Sequence, residues 1–416
     1  MERIKRISKR SIPRRILLLL SLYASLYWAG QSEGKPDVHI VDKVGFGYLK
    51  AVDYKDSQFT NTADINGDGK LDILSFKGGD GGFISWCEYP SFRQHIVRKG
   101  NFNAGRPLAA DVDGDGDMDI IVAKNSDRHV YWYENPLPQR NPTKSNWAER
   151  RVGPTKSTTK GDYIKDYGVA DFDGDGRRDI VICTFDDPAE IFIYFQDGKE
   201  SWQKKMHTYK NGHEGLDIGD IDGDGDPDVV TNGRWFETPG NARQEKLVEH
   251  KIDSKWHNQS GSWQRNATMI RVADLDDNGR LDIVISHSEM DDYPLSWYRA
   301  DDPKGSWTEY KIDPSYGWCQ TLDIGDVDLD GDLDILAGRF TRPTPPDVPP
   351  PHDVRIYYNP GEVRGNWDRQ VVRSDGGIYF GHLADMDADG DLDIVGPRSY
   401  WTGPLEIWEN QKVKSP

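Results

Sequence analysis

Residues 220–230 read DIDGDGDPDVV. Asp220, Asp222 and Asp224 alternate, Gly225 stands sixth, and Asp228 closes the stretch at the ninth position before a β-branched pair. The same arrangement, oxygen-bearing side chains at positions one, three, five and nine with glycine at six, recurs along the chain. The other loops are Asp64, Asn66, Asp68 and Asp72; Asp111, Asp113, Asp115 and Asp119; Asp171, Asp173, Asp175 and Asp179; Asp274, Asp276, Asn278 and Asp282; Asp326, Asp328, Asp330 and Asp334; and Asp385, Asp387, Asp389 and Asp393. One such match is weak. Seven in register set both an architecture and a metal expectation.

Carboxylates at alternate residues of a tight turn offer a hard cation several oxygens at once, and the sixth-position glycine allows the turn to be sharp. Flexible carboxylate loops with a backbone carbonyl at the seventh position suit calcium better than magnesium, which demands a stricter octahedron and keeps its waters. Up to seven calcium ions are therefore expected. The twelfth position, where an EF-hand needs glutamate, holds Ser75, Val122, Ile182, Thr231, Ile285, Ala337 and Gly396, so these are not EF-hands.

Each ninth-position aspartate leads into a short apolar run and each first aspartate follows another, which makes the acidic loop the turn of a β-hairpin. Further along each repeat lies an aromatic strand: WYENP at 132–136, WFETPG at 235–240, WYRADDP at 297–303 and IYYNPG at 356–361. A fourth segment follows, as in NWAERRV from Asn146, SWQKKMHTY from Ser201, SWTEYKI from Ser306 and NWDRQVV from Asn366. Four strands per unit, with first aspartates about 47 to 60 residues apart, predict an all-β, seven-bladed β-propeller of four-stranded blades spanning residues 31–416 as one domain. The last unit runs out after IWEN at 407–410, and VHIVDK at Val38–Lys43 has the pattern of its missing strand, so the N-terminus is expected to close the ring. A proline-rich insertion, Pro343–Pro351, interrupts the sixth unit and is expected to wall the ligand face.

Residues 1–30 stand apart. Arg3, Lys5, Arg6, Lys9, Arg10, Arg14 and Arg15 precede the apolar run Ile16–Ala29, the form of an export signal, either cleaved or kept as an anchor, with Tyr27 and Trp28 where a cleavage site wants a small residue. This places the protein outside the cytoplasm, with a membrane contact only through that anchor. Cys87, Cys183 and Cys319 are too few and too scattered for a disulfide framework or a thiolate metal site. The net charge of −18 argues against nucleic acid as a partner. A monomer is expected.

The loops DVDGDGDMD, DFDGDGRRD and DIDGDGDPD, each running into an apolar strand, resemble the FG-GAP/VCBS repeats of integrin-type propellers. That resemblance implies the fold and the calcium sites across about residues 38–410. It leaves function open, because such propellers serve in adhesion, as lectins, and as catalytic domains of carbohydrate lyases and dehydratases. The WYENP-like strands and HEGLDIGDIDGDGDPD from His213 are also similar to the propeller part of aldos-2-ulose dehydratases, without their cupin portion.

If the acidic loops mark one face, the residues that enter first strands and leave second strands meet on the opposite face, around the channel. Lys77, Lys124, Asn232, Arg234, His287, Glu289, Arg339 and Arg398 follow second strands. Arg106, Lys165, Asp166, His213, Glu214, Arg271, Gln320 and His382 precede or enter first strands. Such a ring suits an anionic or polyhydroxylated ligand such as a carbohydrate or cell-surface glycan. A sugar lyase or dehydratase working by β-elimination would use His287 or His213 as base, Glu289 or Glu214 as partner or acid, and Arg234, Arg339 and Arg398 to stabilise the enolate. His213, His287 and His382 would be the ligands of a further divalent metal in the channel. The alternative is a non-catalytic adhesion or lectin-like module, with Tyr316, Trp318, Tyr379, Tyr400 and Trp401 as ligand-stacking rings and the other aromatics as packing. One shared pocket would favour chemistry, and a dispersed rim would favour binding.

Overall fold

A computed structural model describes residues 39–52, 59–102, 105–125, 128–144, 146–155, 164–184, 188–261, 264–340, 352–361, 366–398 and 404–412. The expected leader, Val38, the insertion at 343–351, Tyr400, Trp401 and the Lys165 side chain lie outside the described residues.

Among the described residues the regular secondary structure is all strand apart from one 3-10 turn at Ser254–Trp256. Strands follow one another in antiparallel groups of four. Phe59–Ala63, Asp72–Lys77, Gly79–Glu88 and Arg93–Phe102 make the first group; Leu108–Ala110, Asp119–Lys124, His129–Glu134 and Ala148–Pro154 make the second. A single pair, Phe102 with Lys124, joins these two into one eight-stranded sheet. The next sheets are Ile164–Ala170, Asp179–Thr184, Ala189–Gly198, Ser201–Tyr209; then Asp217–Gly219, Asp228–Thr231, Arg234–Glu237, Val248–Lys251. Thr268–Ala273, Asp282–His287, Leu295–Arg299, Thr308–Asp313 and Cys319–Gly325, Asp334–Arg339, Val354–Tyr358, Asp368–Arg373 follow. The last sheet holds His382–Ala384, Asp393–Pro397, Leu405–Asn410 and, from the other end of the chain, Phe46–Val52.

The acidic loops are hairpin turns, as their flanking apolar runs require: Gly219 pairs with Asp228 and Gly325 with Asp334 across the two ends of a loop. Second strands such as Asp179–Thr184 are buried at every position. Their sheets are covered on both faces, which is why they read as continuous β-branched runs instead of alternating. The third-strand tryptophans fill the seams between sheets. Trp132 and Trp235 are fully buried, and their indole N–H groups donate across the seam to the carbonyls of Lys199 and Pro303. All three cysteines are buried and none is in a disulfide.

The expected N-terminal strand is one segment too early. The Val38–Lys43 pattern does not supply the last sheet's fourth strand: Ile40 makes an isolated parallel bridge to Arg369 and remains 70% exposed. Instead Phe46–Val52 pairs antiparallel with Leu405–Asn410, from Phe46 opposite Asn410 to Val52 opposite Leu405. Burial decides it, because Phe46, Leu49, Ala51 and Val52 have core to cover there. Gly47 serves close packing there; a Cβ on it would lie 2.6 Å from the Gln411 amide nitrogen.

Candidate ligand channel and acidic loops

In the loop at 220–228 each carboxylate organises the backbone. Asp220 accepts the Gly223 and Gly225 amides at 2.8 and 3.0 Å, Asp222 that of Asp224 at 3.2 Å, and Asp224 that of Asp226 at 3.0 Å. Gly225 sits at φ +98°, a conformation in which a side chain would be strained. The ninth residue, Asp228, is fully buried and pins the loop to the sheet. One oxygen takes the Ile221 amide at 3.0 Å and the other the Thr238 amide, beyond the third strand, at 2.8 Å. Asp72, Asp119, Asp179, Asp334 and Asp393 repeat both bonds.

Burial pushes these ninth-position carboxyls up against the pull of their amide donors, to about 7 in Asp72, Asp179, Asp334 and Asp393 and about 8 in Asp119 and Asp228. Asp282 rises to about 7 through burial and then the charge of Asp276. A divalent cation would relieve both the burial and the repulsion. The donor geometry fits one: carboxylate oxygens of Asp171, Asp173 and Asp179, of Asp220, Asp222 and Asp228, and of Asp274, Asp276 and Asp282 each lie within 4.8 Å of one another, as do those of Asp111, Asp113 and Asp115.

A feature the sequence reading missed is a basic side chain on the third-position carboxylate. Lys199 lies 2.5 Å from Asp113, Lys304 2.8 Å from Asp222, Arg299 2.5 Å from Asp276, and Lys43 3.2 Å from Asp328, while Arg243 pairs with Asp173. All but Arg299 come from a different sheet, so the loops are also clasps between neighbouring sheets. Lys199 and Lys304 each grip a second acid of the loop's own sheet, Glu134 and Glu237.

At the inner edges of the sheets the structure forms a cavity of about 320 Å³ lined by Arg106, Asp166, Asp217, Arg271, Asp323 and His382, among others. Its logic is positional. The residue three before each first loop aspartate is Asn61, Leu108, Gly168, Asp217, Arg271, Asp323 or His382, and every one of them lines the cavity. Side chains alternate along a strand, so the residues five before point the same way, which adds Arg106 and Asp166. Asp217 and Asp323 were absent from the sequence reading; counting back three from each loop would have found them.

The acids are already engaged. Asp166 accepts the Gly215 amide at 2.9 Å, Asp217 the amides of Ile218 and Val272, and Asp323 the Leu383 amide at 2.8 Å and the Arg271 guanidinium at 2.9 Å. Burial would raise the Asp323 carboxyl, but Arg271 and these donors hold it below the usual range; in Asp217 burial wins over Arg271 and the carboxyl is raised. Burial lowers His382 to about 4 despite the charge of Asp323, so its ring is neutral at pH 7. Burial, with Arg271 beside it, lowers Arg106 to about 10, still charged.

The other expected site residues lie elsewhere. His213 and Glu214 are buried between the fourth and fifth sheets, where the His213 amide donates to Asn232 and the Ser288 hydroxyl donates to Glu214 at 2.6 Å. His287 is fully buried. Its Nδ1 accepts the amides of Glu289 and Met290, its Nε2 meets the Gln259 carbonyl oxygen at 3.0 Å, and burial, with His213 nearby, lowers its pKa to about 3. With both nitrogens spent it has no lone pair for a substrate proton or a metal, and the three histidines do not converge on the cavity, which only His382 lines. Glu289 is buried beside it. Arg234 donates to the Lys210 carbonyl and Arg339 to that of Ser315, Arg339 lying 4.0 Å over the Tyr316 ring. Arg398 opens instead onto a groove of about 560 Å³ with Tyr48, Arg373 and Trp408. Lys124 pairs with Glu149, and Gln320 donates to the Ser288 carbonyl. Tyr316 and Tyr379 are buried in the core, so neither is available to stack on a ligand.

Comparison with known proteins agrees with the repeat. The chain carries FG-GAP-like repeats, matched at residues 64–122, 171–231 and 274–337, each match running from the first aspartate of one acidic loop to three residues past the ninth-position aspartate of the next. Among solved structures, the crystal structure of BBS1N in complex with ARL6DN, soaked with lead, matches with a TM-score of 0.52 at 10% identity over 89% of this chain and 98% of that chain. The same complex soaked with mercury gives 0.51 at 9% identity, with the same coverage. The biofilm matrix protein Bap1 of V. cholerae gives 0.47 at 12% identity, covering 88% of this chain and 89% of that chain. These are likenesses of fold. No curated protein matches the sequence, and the narrower likeness to aldos-2-ulose dehydratases finds no support among these matches.

Proposed function

We propose that this chain of FG-GAP-like repeats is an exported, calcium-stabilised, seven-bladed β-propeller that binds a carbohydrate ligand at its channel without turning it over. The blade count rests on the seven acidic hairpins and on the inner strands, each of which lies against the next, with Phe59–Ala63 returning against Asp393–Pro397. Pairing of Phe46–Val52 with Leu405–Asn410 supports closure by the N-terminal segment. Calcium is favoured by hard oxygen donors that burial and mutual repulsion leave in need of a cation. Export rests on the basic and apolar character of residues 1–30.

The observation that carries the ligand reading is the polar cavity of about 320 Å³ at the centre of the ring, at the small end for ligand pockets and of a size for one or two sugar rings. Binding is favoured over β-elimination because the expected machinery is dispersed: His287 has no open nitrogen, and Arg234 and Arg339 are committed to backbone carbonyls. Calorimetric titration of the calcium-loaded protein with uronates, keto-sugars and neutral glycans is expected to give binding, with no rise in ultraviolet absorbance on long incubation. New absorbance from a conjugated double bond would establish a lyase instead. Silence across the panel would remove the carbohydrate reading.

A further inference from the structure

Arg106 is unlike the other arginines of the molecule. Its Nε and Nη2 are both buried and neither has a hydrogen-bond partner among the protein's own groups. Elsewhere among the described residues an arginine with an unpartnered buried nitrogen leaves only one, as do Arg98, Arg234, Arg339 and Arg369. Nε and Nη2 are the side-on edge of the guanidinium, two parallel N–H groups spaced to grip both oxygens of a carboxylate. Leaving such donors unmatched is costly, and in a native protein it calls for an explanation.

The surroundings narrow what can match them. The guanidinium is held over the Phe380 ring, 4.9 Å from its centroid, which fixes its plane and leaves the edge open. The cavity's acids are bonded elsewhere: Asp217 and Asp323 each have both oxygens engaged, Asp166 accepts the Gly215 amide, and the Arg271 guanidinium that completes the group is committed to Asp323 and the Ile270 carbonyl. A second unpartnered buried atom, His382 Nε2, lines the same cavity. A carboxylate on Arg106 thus has a hydrogen-bonding ring nitrogen within the same small space, matched to a neighbouring hydroxyl.

Resting on the carbohydrate reading above, we infer that the channel is specific for a sugar acid, whose carboxylate is held bidentately by the Nε/Nη2 edge of Arg106 while His382 Nε2 hydrogen-bonds a ring hydroxyl. The ligand is a uronate residue, alone or at a chain end, in a cavity of a size for one or two sugar rings.

The test is isothermal titration of the calcium-loaded chain with galacturonate and glucuronate, with galactose and glucose as neutral counterparts, repeated on Arg106→Met, Arg106→Lys and His382→Asn. The acids are expected to bind at least about tenfold more tightly than the neutral sugars. Arg106→Met should lose that preference entirely. Arg106→Lys should regain little of it, because an ammonium cannot present two parallel donors. His382→Asn should weaken acid and neutral sugar alike by a few fold. The lysine variant keeps the charge, so it also guards against a methionine variant that fails to fold. Neutral sugars binding as well as the acids, or an acid preference that survives Arg106→Lys and Arg106→Met, would overturn this inference and leave the binding reading in place. Failure of acids and neutral sugars alike would overturn both.

Discussion

The two ends of each hairpin behave differently. At the acidic end, positions one and nine are aspartate in every repeat, and the ninth carboxylate makes the same backbone bonds in sheet after sheet. Three residues before the first aspartate, at the channel end, the repeats diverge: Asn61, Leu108, Gly168, Asp217, Arg271, Asp323 and His382 share a position and little else. The acidic end answers a demand that is identical in every unit, to turn the chain and satisfy buried amides. The channel end meets one shared space, where seven equal side chains would be a symmetric plug. Repetition here carries the fold, and departure from repetition shapes the cavity. Even the glycine fits this: a Cβ on Gly168 would lie 2.2 Å from Ile218, so that repeat gives up its side chain to let the inner strands approach.

The largest effect is expected at the sheet itself. Deleting Phe46–Val52 strips the strand that covers Leu405–Asn410 and is expected to abolish cooperative unfolding, seen as a broad, shallow calorimetric transition with aggregation. Deleting His39–Lys43 removes one bridge and the Lys43–Asp328 pair, and should leave a sharp transition.

Chelation comes next. Several sites each contributing about 2.7 kcal/mol at a hundredfold excess over Kd predict a fall in Tm of more than about 10 °C, recovered on adding calcium back. In chelator the pH trend should also invert. The ninth-position carboxyls stand at about 7 to 8 when folded, against about 4 unfolded. The metal-free fold is therefore most stable while they are protonated and loses stability as pH rises from about 5 to 8. With calcium bound, which requires ionised carboxylates, the same rise should stabilise. A metal-free Tm that climbs over this interval would refute the assignment of these groups.

A single loop gives a smaller effect. Asp228→Ala leaves the Ile221 and Thr238 amides buried without acceptors, and is expected to cost about 3 kcal/mol in a denaturant melt whether or not calcium is present. The sheet-to-sheet clasp is smaller still: Lys304→Met removes an ion pair that is 46% exposed on the lysine side, worth about 1 kcal/mol or less and shrinking with added salt.

Much of this was legible in the sequence because it repeats. Loop spacing, β-branched second strands and third-strand tryptophans each recur, and the strands lie where those signals put them. The errors fall where the signal occurs once. Val38–Lys43 suggests itself as the missing strand through its likeness to other fourth strands, while Phe46–Val52 carries no repeated pattern and its place is set by packing, as of Gly47 against Gln411. The channel was half legible: Arg106, Asp166, Arg271 and His382 were named, but with Arg234, Arg339, Arg398 and His287, which local sequence cannot distinguish from them. Whether a side chain at a strand end reaches the axis, a neighbouring carbonyl or an outer groove depends on sheets far apart in the chain. Counting from the loop aspartates supplies that information, since the hairpin converts a fixed offset into a fixed direction.

The division of labour between the two ends is tested most directly by one calorimetric comparison of the intact chain with Arg106→Lys, each with and without calcium and with and without galacturonate. Both proteins are expected to show the same large calcium-dependent rise in Tm, and the intact chain alone a further rise with galacturonate. A variant that keeps the galacturonate shift, or that loses the calcium shift, would contradict that division.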